Sequence, residues 1–166
     1  MITISEFMTP EPYTLREIDS LNDARKIMTE KHIRHIPITD DDNHLLGLVT
    51  QRDVLAATEP GLRPQVKGAS CELDIRLSEI MIRDVNVIHE SDSLRQAALF
   101  IQSHKYGCLP VVADDRLVGI ITDSDFIDIA INLLEQVELT EEEVSFEIET
   151  EDAMDDIELP EVESIQ

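Results

Sequence analysis

The sequence contains two copies of one pattern, and this repeat limits the folds that the chain can adopt. Residues 47–53 (GLVTQRD) return almost unchanged as residues 119–125 (GIITDSD). The flanking residues correspond as well, at an offset of 73 residues up to residues 40–44 and of 72 residues after them. A one-residue deletion in this predicted turn accounts for the change, because turns tolerate such changes. We therefore predict two small modules that share a core.

Each copy is predicted to have the order strand, helix, strand, strand, helix, which places the chain in the α/β (α+β) class. Residues 19–20 (Asp-Ser) offer a cap for the first helix of the first copy, after which four apolar residues fall on one face: Leu21, Ala24, Ile27 and Met28. The predicted strands are residues 13–16, 35–39, 45–50, 86–89, 109–112 and 117–122.

The same patterns divide the chain into four segments. The first unit is predicted to span residues 1–58 and the second residues 78–134, joined by a linker over residues 59–77 that is rich in Pro and Gly. The tail over residues 135–166 has 14 acidic residues and no Lys or Arg, so we expect it to repel itself and stay at least partly disordered. Within it, the alternation of Val, Phe and Ile over residues 144–148 leaves a strand as the alternative.

Charge and composition narrow the classes of partner. The formal net charge of −23 argues against binding to a nucleic-acid backbone or an anionic membrane, since both would be repelled. The sequence has neither a membrane-length apolar run nor a secretory leader, so a cytoplasmic location is predicted. Cys71 and Cys108 lack the spacing of a metal site, and we interpret them as buried or linker thiols.

The Thr-x-x-Asp motif that closes each repeated stretch has two interpretations. Its Thr and Asp match a capping box, in which the two side chains satisfy backbone N–H groups at a helix start. The same corner would also present a hydroxyl, a carboxylate and free backbone N–H groups to a ligand that carries phosphate and hydroxyl groups. The sequence leaves both interpretations open, because two caps could be inherited by duplication.

Several motifs together resemble the cystathionine β-synthase (CBS) domain, and two in tandem resemble a Bateman module. They are residues 36–38 (IPI) and 109–111 (LPV), each followed by the Gly-h-h-Thr-x-x-Asp stretch, where h is an apolar residue, and residues 7–10 (FMTP) before the first strand. The resemblance covers about residues 5–134. It implies a pseudo-twofold pair of units with two clefts that commonly bind AMP, ADP or ATP, or S-adenosyl compounds. It also implies a homodimer and an unidentified protein partner.

The resemblance assigns roles to matching positions in both copies. Asp53 and Asp125 match acids that bind ribose hydroxyls, and Thr50 and Thr122 match hydroxyls near the ribose and phosphate. A carboxylate at a helix start would repel phosphate unless it faced the ribose, which makes this assignment physically reasonable.

The remaining candidates concern the base and the phosphate. Leu48 and Ile120 match apolar contacts to the base, and Arg52 and Ser124 match positions that can face phosphate. Arg34 and His35 are expected to make the first site more basic than the second, where Gly107 and Cys108 occupy the matching positions. An exposed strand edge is the alternative role for Arg34 and His35. We interpret His89, Lys105 and Tyr106 as solvated surface.

The sequence therefore favours a regulatory module that senses an adenine nucleotide and signals to a partner, with no cofactor required. The alternative is a non-catalytic scaffold with vestigial pockets and an acidic interaction tail. An enzyme is not expected, because Asp53 and Asp125 belong to different pockets and the sequence offers neither a nucleophile–base set nor a metal-ligand spacing.

Overall fold

The computed structural model of the chain describes residues 2–58 and 75–155, with side chains described as far as residue 140. The chain divides into two compact units, residues 1–125 and residues 126–166. The predicted linker lies largely outside the described residues, and so do Cys71 and the last 11 residues of the tail, 156–166.

The α/β class and the two repeated units are confirmed. The elements in chain order are a 3-10 turn (Ile4–Glu6), β1 (Thr9–Pro10), α1 (Leu21–Lys31), β2 (His35–Thr39), β3 (Leu45–Thr50), α2 (Gln51–Thr58), α3 (Leu77–Ile80), β4 (Ile88–His89), α4 (Leu94–His104), β5 (Cys108–Ala113), β6 (Arg116–Thr122) and α5 (Asp123–Asp155). The predicted strand at residues 13–16 is wrong, because it is reduced to one parallel bridge between Leu15 and Ile38.

Helix α1 forms for the reasons that its sequence indicates. The Ser20 hydroxyl accepts a hydrogen bond from the Asp23 N–H at 3.2 Å, and the Asp23 carboxylate accepts one from the Ser20 N–H at 3.0 Å. This capping box satisfies N–H groups that have no partner within the helix. The helix buries Leu21, Ala24 and Met28 in a core that also contains residues of β2 and β3.

The strands form a four-stranded sheet in the order β1-β6-β5-β4 and a two-stranded sheet of β2 and β3. Single bridges extend the smaller sheet on both sides, through Leu15 to Ile38 and through Ile82 to Leu48. Under the repeat, these bridges correspond to the pairing of β4 with β5 and of β1 with β6. The two sheets are thus equivalent, as expected for a pseudo-twofold pair.

The segment that begins each copy pairs with the sheet of the other copy. Thr9 in β1 is the register partner of Ile120 in β6. In the equivalent place, Ile82 and Leu48 exchange two backbone hydrogen bonds at 2.8 and 2.9 Å. At one edge of each sheet, the residue that pairs with the last strand therefore comes from the opposite copy.

Backbone hydrogen bonds between the two copies also form upstream of β1 and of Ile82. The Leu94 N–H donates to the Ile2 carbonyl at 3.1 Å, and the Leu21 N–H donates to the Ile75 carbonyl at 2.9 Å. The 3-10 turn and α3, which the sequence patterns did not predict, follow these contacts at equivalent positions. We name residues 2–10 and 75–82 the crossing segments, because each pairs with the opposite copy.

The repeated glycine has a packing reason in this exchange. A Cβ atom on Gly47 would lie 2.8 Å from both the Ile82 carbonyl oxygen and the Met81 sulfur. A Cβ atom on Gly119 would likewise meet Met8, and it would lie 3.1 Å from the Thr9 carbonyl oxygen. Glycine lets the crossing segment approach the strand this closely.

The first part of the tail is helical, because α5 continues through residues 135–155 without interruption, and the prediction of at least partial disorder remains untested for residues 156–166. The predicted strand-like alternation at residues 144–148 is wrong, since this stretch is helical. Eight of the residues 135–155 are Glu, whose high helix propensity supports a helix in spite of the repulsion between like charges. None of the helices within the described residues is both long and apolar enough to span a membrane.

Candidate functional site

Two clefts lie beside the Thr-x-x-Asp motifs, and residues of both copies line each one. The larger, named here the Asp125 cleft, has a volume of about 430 Å³. Its lining combines residues 9–13 and 32–35 of the first copy with Ile120 and residues 122–125 of the second. Since small-molecule sites typically enclose about 300–1,000 Å³, this cleft has room for a nucleoside ligand.

The smaller cleft, named here the Thr50 cleft, has a volume of about 150 Å³. The first copy contributes Leu48, Thr50 and His35, and the second copy contributes Ile82, residues 84–86 and residues 105–108. The crossing segments explain this shared lining, because residue 82 and its neighbours lie against the sheet of the first copy. The two clefts differ in volume, and the larger one belongs to the second motif.

Both Thr-x-x-Asp motifs form capping boxes. Asp125 Oδ2 accepts hydrogen bonds from the Thr122 N–H at 2.6 Å and the Thr122 hydroxyl at 2.8 Å, and Asp53 Oδ2 accepts the same pair from Thr50 at 2.8 and 2.7 Å. The capping interpretation is therefore confirmed. In each carboxylate, Oδ1 has no hydrogen-bond partner among the described residues, so capping leaves one oxygen for a ligand hydroxyl.

The helix starts offer fewer free N–H groups than the motif alone suggested. The N–H of Gln51 donates to the Arg34 carbonyl at 2.8 Å, and that of Asp123 donates to the Gly107 carbonyl at 3.0 Å. The Asp125 N–H reaches the Thr122 hydroxyl at 3.4 Å. A phosphate in the Asp125 cleft would therefore depend on side chains more than on the backbone.

Arg34 lies in the cleft opposite to the one expected. Its guanidinium Nη2 is 3.3 Å from both Asp123 Oδ1 and the Ser124 hydroxyl oxygen. The grouping of Arg34 with the first motif is wrong, because the residues before β2 face the start of α5 in the second copy. Neither Arg52 nor Asp53 is among the residues that line the Thr50 cleft.

His35 and Cys108 are both uncharged at neutral pH. Burial, and then the charge of Arg34, lower the pKa of His35 below its usual value of 6.5. Burial and the nearby Asp123 raise the pKa of the Cys108 thiol to about 12. His35 lines both clefts, so it belongs to both copies' sites rather than to the first alone.

Sequence reasoning missed several cleft residues. Glu11 and Tyr13 line the Asp125 cleft, and the Lys31 amine lies 5.3 Å from the centre of the Tyr13 ring. Lys105 and Tyr106 are exposed, as predicted for solvated surface, but both also line the Thr50 cleft. The sequence repeat did not indicate these four residues, because each one lines the cleft beside the motif of the other copy.

Comparison with known families accounts for this arrangement. The CBS domain model matches twice, at residues 4–59 and 77–132. The chain belongs to the CBS domain family. The two CBS matches contain the two Thr-x-x-Asp motifs and the strands that carry them. Within residues 2–58 and 75–140, no group of three or more His, Cys, Asp or Glu side chains is arranged to hold a metal ion.

Solved structures of CBS pairs resemble the chain over most of its length. A Vibrio cholerae protein described as an acetoin utilization protein (AcuB) is 47% identical, with a TM-score of 0.72 over 83% of this chain and 96% of that one. CBSX2 of Arabidopsis thaliana, in complex with AMP, is 28% identical, with a TM-score of 0.70 over 80% and 98%. The CBS pair of MJ0100, in complex with 5′-methylthioadenosine and S-adenosyl-L-methionine, is 26% identical, with a TM-score of 0.68 over 80% and 98%.

Some relatives are much longer proteins. The homoserine O-acetyltransferases of Methanosarcina acetivorans and Methanocorpusculum labreanum are 27% and 31% identical over 122 residues. These matches cover 73% of this chain but 20% and 23% of those enzymes. The similarity therefore concerns a part of each relative that has about the length of the two CBS matches together.

Proposed function

We propose that the chain is a non-catalytic regulatory CBS pair that binds an adenosine-containing ligand in the Asp125 cleft and signals to a protein partner. The observation that carries this proposal is the content of that cleft. It combines an apolar strand residue, a carboxylate with one free oxygen, and an arginine–serine pair within one cavity of about 430 Å³. The complexes of CBSX2 with AMP and of MJ0100 with adenosyl compounds support the same ligand class.

The proposed binding mode uses the side chains in order along the cleft. Ile120 contacts the base, and Asp125 Oδ1 accepts hydrogen bonds from the ribose hydroxyls while Oδ2 keeps the helix cap. Arg34 and Ser124, whose polar atoms are 3.3 Å apart, bind the phosphate. Arginine suits this role because its guanidinium donates several hydrogen bonds to phosphate oxygens.

Charge in the cleft favours a ligand with few phosphates. Three carboxylates, Glu11, Asp123 and Asp125, line the cavity with one guanidinium, Arg34, and His35 is neutral. Each additional phosphate would bring negative charge toward these acids without a further Lys or Arg among the lining residues. We therefore propose AMP as the preferred nucleotide, ahead of ADP and ATP.

A scaffold with vestigial pockets remains the second candidate, and one observation favours it. Both aspartates already serve as helix caps, and the Thr50 cleft has only about 150 Å³. Under this alternative, the two capping boxes would have a structural role without any ligand. The acidic tail would then be the interaction element.

A ligand panel separates the two candidates. AMP, ADP, ATP, NAD and S-adenosylmethionine would be titrated by calorimetry and compared by thermal unfolding. A ligand that binds only the folded protein stabilises it by about 2.7 kcal/mol at a hundredfold excess over its Kd. Binding in the order AMP, ADP, ATP supports the proposal. The absence of both heat and stabilisation with all five compounds contradicts it and favours the scaffold.

A further inference from the structure

A further cavity adjoins the segment of residues 82–87, which also lines the Thr50 cleft. The even-numbered residues of this segment line the Thr50 cleft, residues 83 and 87 line the further cavity, and Val85 lines both. The start of β3 and the hairpin of β5 and β6 provide the rest of the lining. We name this space the Arg83 cavity. Its volume of about 320 Å³ corresponds to about ten water molecules of the liquid.

Part of the lining is aliphatic. Val112 is buried, whereas Val87 keeps 44% of its surface exposed. Both line the Arg83 cavity together with Leu46 and Val85. An aliphatic group of a ligand placed here would remove the exposed surface of Val87 from water, which is favourable roughly in proportion to the area buried.

The lining also carries one guanidinium, that of Arg83, and one carboxylate, that of Asp115. Arg83 Nη2 makes only long contacts, at 3.4 Å to the Ser78 carbonyl oxygen and 3.7 Å to Glu17 Oε2. Among the described residues, Nη1 and Nε of Arg83 have no hydrogen-bond partner, and neither has the Asp115 carboxylate. Both groups therefore keep hydrogen-bonding capacity for a ligand.

This pair of charges favours a ligand that is itself a zwitterion. A phosphate or nucleotide would bring its negative charge toward Asp115, and a simple cation would bring its positive charge toward Arg83. The third ionisable side chain of the lining is His44, whose Nδ1 lies 3.0 Å from Asp40 Oδ2 and is thus already engaged by a carboxylate. A zwitterion gives Arg83 and Asp115 each a partner of opposite sign.

The repeat does not account for the guanidinium in this cavity. At the offset of 73 residues, Arg83 corresponds to Pro10, and Val87 corresponds to Thr14. The Thr-x-x-Asp motifs occur in both copies, whereas an arginine at this position occurs in one. The chemistry of the Arg83 cavity is therefore not a duplicate of that of the clefts.

We propose that the Arg83 cavity is a ligand site separate from both clefts, and that it binds an α-amino acid with an aliphatic side chain. The ligand carboxylate accepts hydrogen bonds from Arg83, its ammonium group donates to Asp115, and its side chain packs on the aliphatic lining. Leucine, with about nine non-hydrogen atoms, suits a space of about ten water molecules. The Arg83 cavity and the Asp125 cleft share no lining residue, so titrations of leucine and of AMP test the two proposals separately.

Calorimetric titration of leucine into the full chain tests the proposal, with three compounds that each lack one feature. Isocaproate lacks the amine, isoamylamine lacks the carboxylate, and glycine lacks the aliphatic side chain. We expect each to bind at least about tenfold more weakly than leucine. The absence of leucine binding at millimolar concentration overturns the proposal. Equal binding of isocaproate overturns it in favour of a site for simple carboxylates, and equal binding of glycine or isoamylamine also overturns it.

The ammonium contact is tested by two substitutions in one turn. Asp115→Asn should weaken leucine binding by about tenfold or more. Asp114→Asn is the matched control, because it removes the same charge from the neighbouring residue, which does not line the cavity. It should change the affinity by less than about twofold. Both residues have positive φ, at 47° and 62°, which asparagine also tolerates, so both variants should keep the turn. Equal losses in the two variants overturn the proposal.

The carboxylate contact is tested by Arg83→Gln. Leucine should lose about tenfold in affinity, whereas isoamylamine, which has no carboxylate, should bind this variant at least as tightly as the wild type. Arg95→Gln removes the same charge from an exposed position of α4 outside the cavity lining, and it should change leucine affinity by less than about twofold. Thermal unfolding without ligand checks that each variant is folded. Unchanged leucine affinity in folded Arg83→Gln overturns the proposal.

Discussion

The imidazole of His35 occupies the space that a side chain on Gly107 would need. A Cβ atom on Gly107 would lie 2.7 Å from Nε2 of His35, although the two residues belong to different copies. His35 lines both clefts, and Gly107 lines the Thr50 cleft. One side chain of the first copy therefore lines both clefts and lies against the backbone of the second copy.

Substitution of Gly107 by Ala should disturb ligand binding more than folding. The new methyl group meets the outer end of the His35 ring, which can rotate away, so we expect a loss of stability of no more than about 1–2 kcal/mol. Displacement of the ring should weaken AMP binding in the Asp125 cleft. Calorimetry on Gly107→Ala, His35→Ala and the double variant measures the coupling. Strict additivity of the two effects contradicts a direct contact.

Gly47 provides the opposite case. The methyl group in Gly47→Ala meets the backbone carbonyl of Ile82, which cannot rotate away, so we expect a loss of about 1–3 kcal/mol in the free energy of unfolding. Urea unfolding of this variant beside Gly107→Ala compares two identical substitutions in different surroundings. A loss no larger than that of Gly107→Ala would mean that the crossing segment is loosely held.

Arg34 should matter for phosphate binding and Arg52 should not. In the proposed mode, Arg34→Ala removes a charge-assisted contact to the AMP phosphate and weakens binding by about tenfold. The variant Arg52→Ala removes the same charge at a position that does not line the Thr50 cleft, and it should change affinity by less than about twofold. Adenosine, which lacks the phosphate, should bind the wild type and Arg34→Ala with similar affinity. A larger effect of Arg52→Ala than of Arg34→Ala would contradict this binding mode and support phosphate binding beside the first motif.

The pKa of His35 predicts a pH dependence of stability. Because the folded state lowers this pKa below 6.5, the unfolded chain binds more protons at acidic pH. The contribution of neutral His35 is therefore fully present above pH 6.5 and is lost as the pH falls below that value toward the folded-state pKa. Unfolding at pH 7.5 and pH 5.5 should show a smaller loss for His35→Gln than for the wild type. Identical losses in His35→Gln and the wild type contradict the prediction.

The local elements could be predicted because their signals are local. Strands β2 and β3 are apolar runs of the right length separated by a polar turn, and α1 has both a capping residue and a periodic apolar face. The acidic tail shows the limit of composition. Its net charge predicted at least partial disorder, whereas the helix propensity of its glutamates favours the helix that the structure contains over residues 135–155.

The composition of the clefts could not be predicted from the repeat. Comparing the two copies assigns each motif the residues that belong to its own copy, which places Arg34 beside Asp53. The crossing segments instead bring residues of the opposite copy to each motif. Strand β1 has only two residues and shows no periodicity, and its partner Ile120 is more than 100 residues away in the sequence. Such a pairing leaves no signal in local spacing. The repeated glycines are required by this pairing, because a Cβ atom at either position would meet Met8 or Met81. The sequence alone does not show these contacts.

Calorimetric titration of AMP into Asp125→Asn and Asp53→Asn shows whether the Asp125 cleft binds AMP. Both substitutions remove one carboxylate from the same kind of capping box, so their effects on stability should be similar and each controls for the other. We expect Asp125→Asn to weaken AMP binding by about ten- to a hundredfold, as for a lost charge-assisted hydrogen bond to ribose, and Asp53→Asn to change it by less than about twofold. Equal losses in the two variants, or a larger loss in Asp53→Asn, would contradict the assignment of the ligand to the Asp125 cleft.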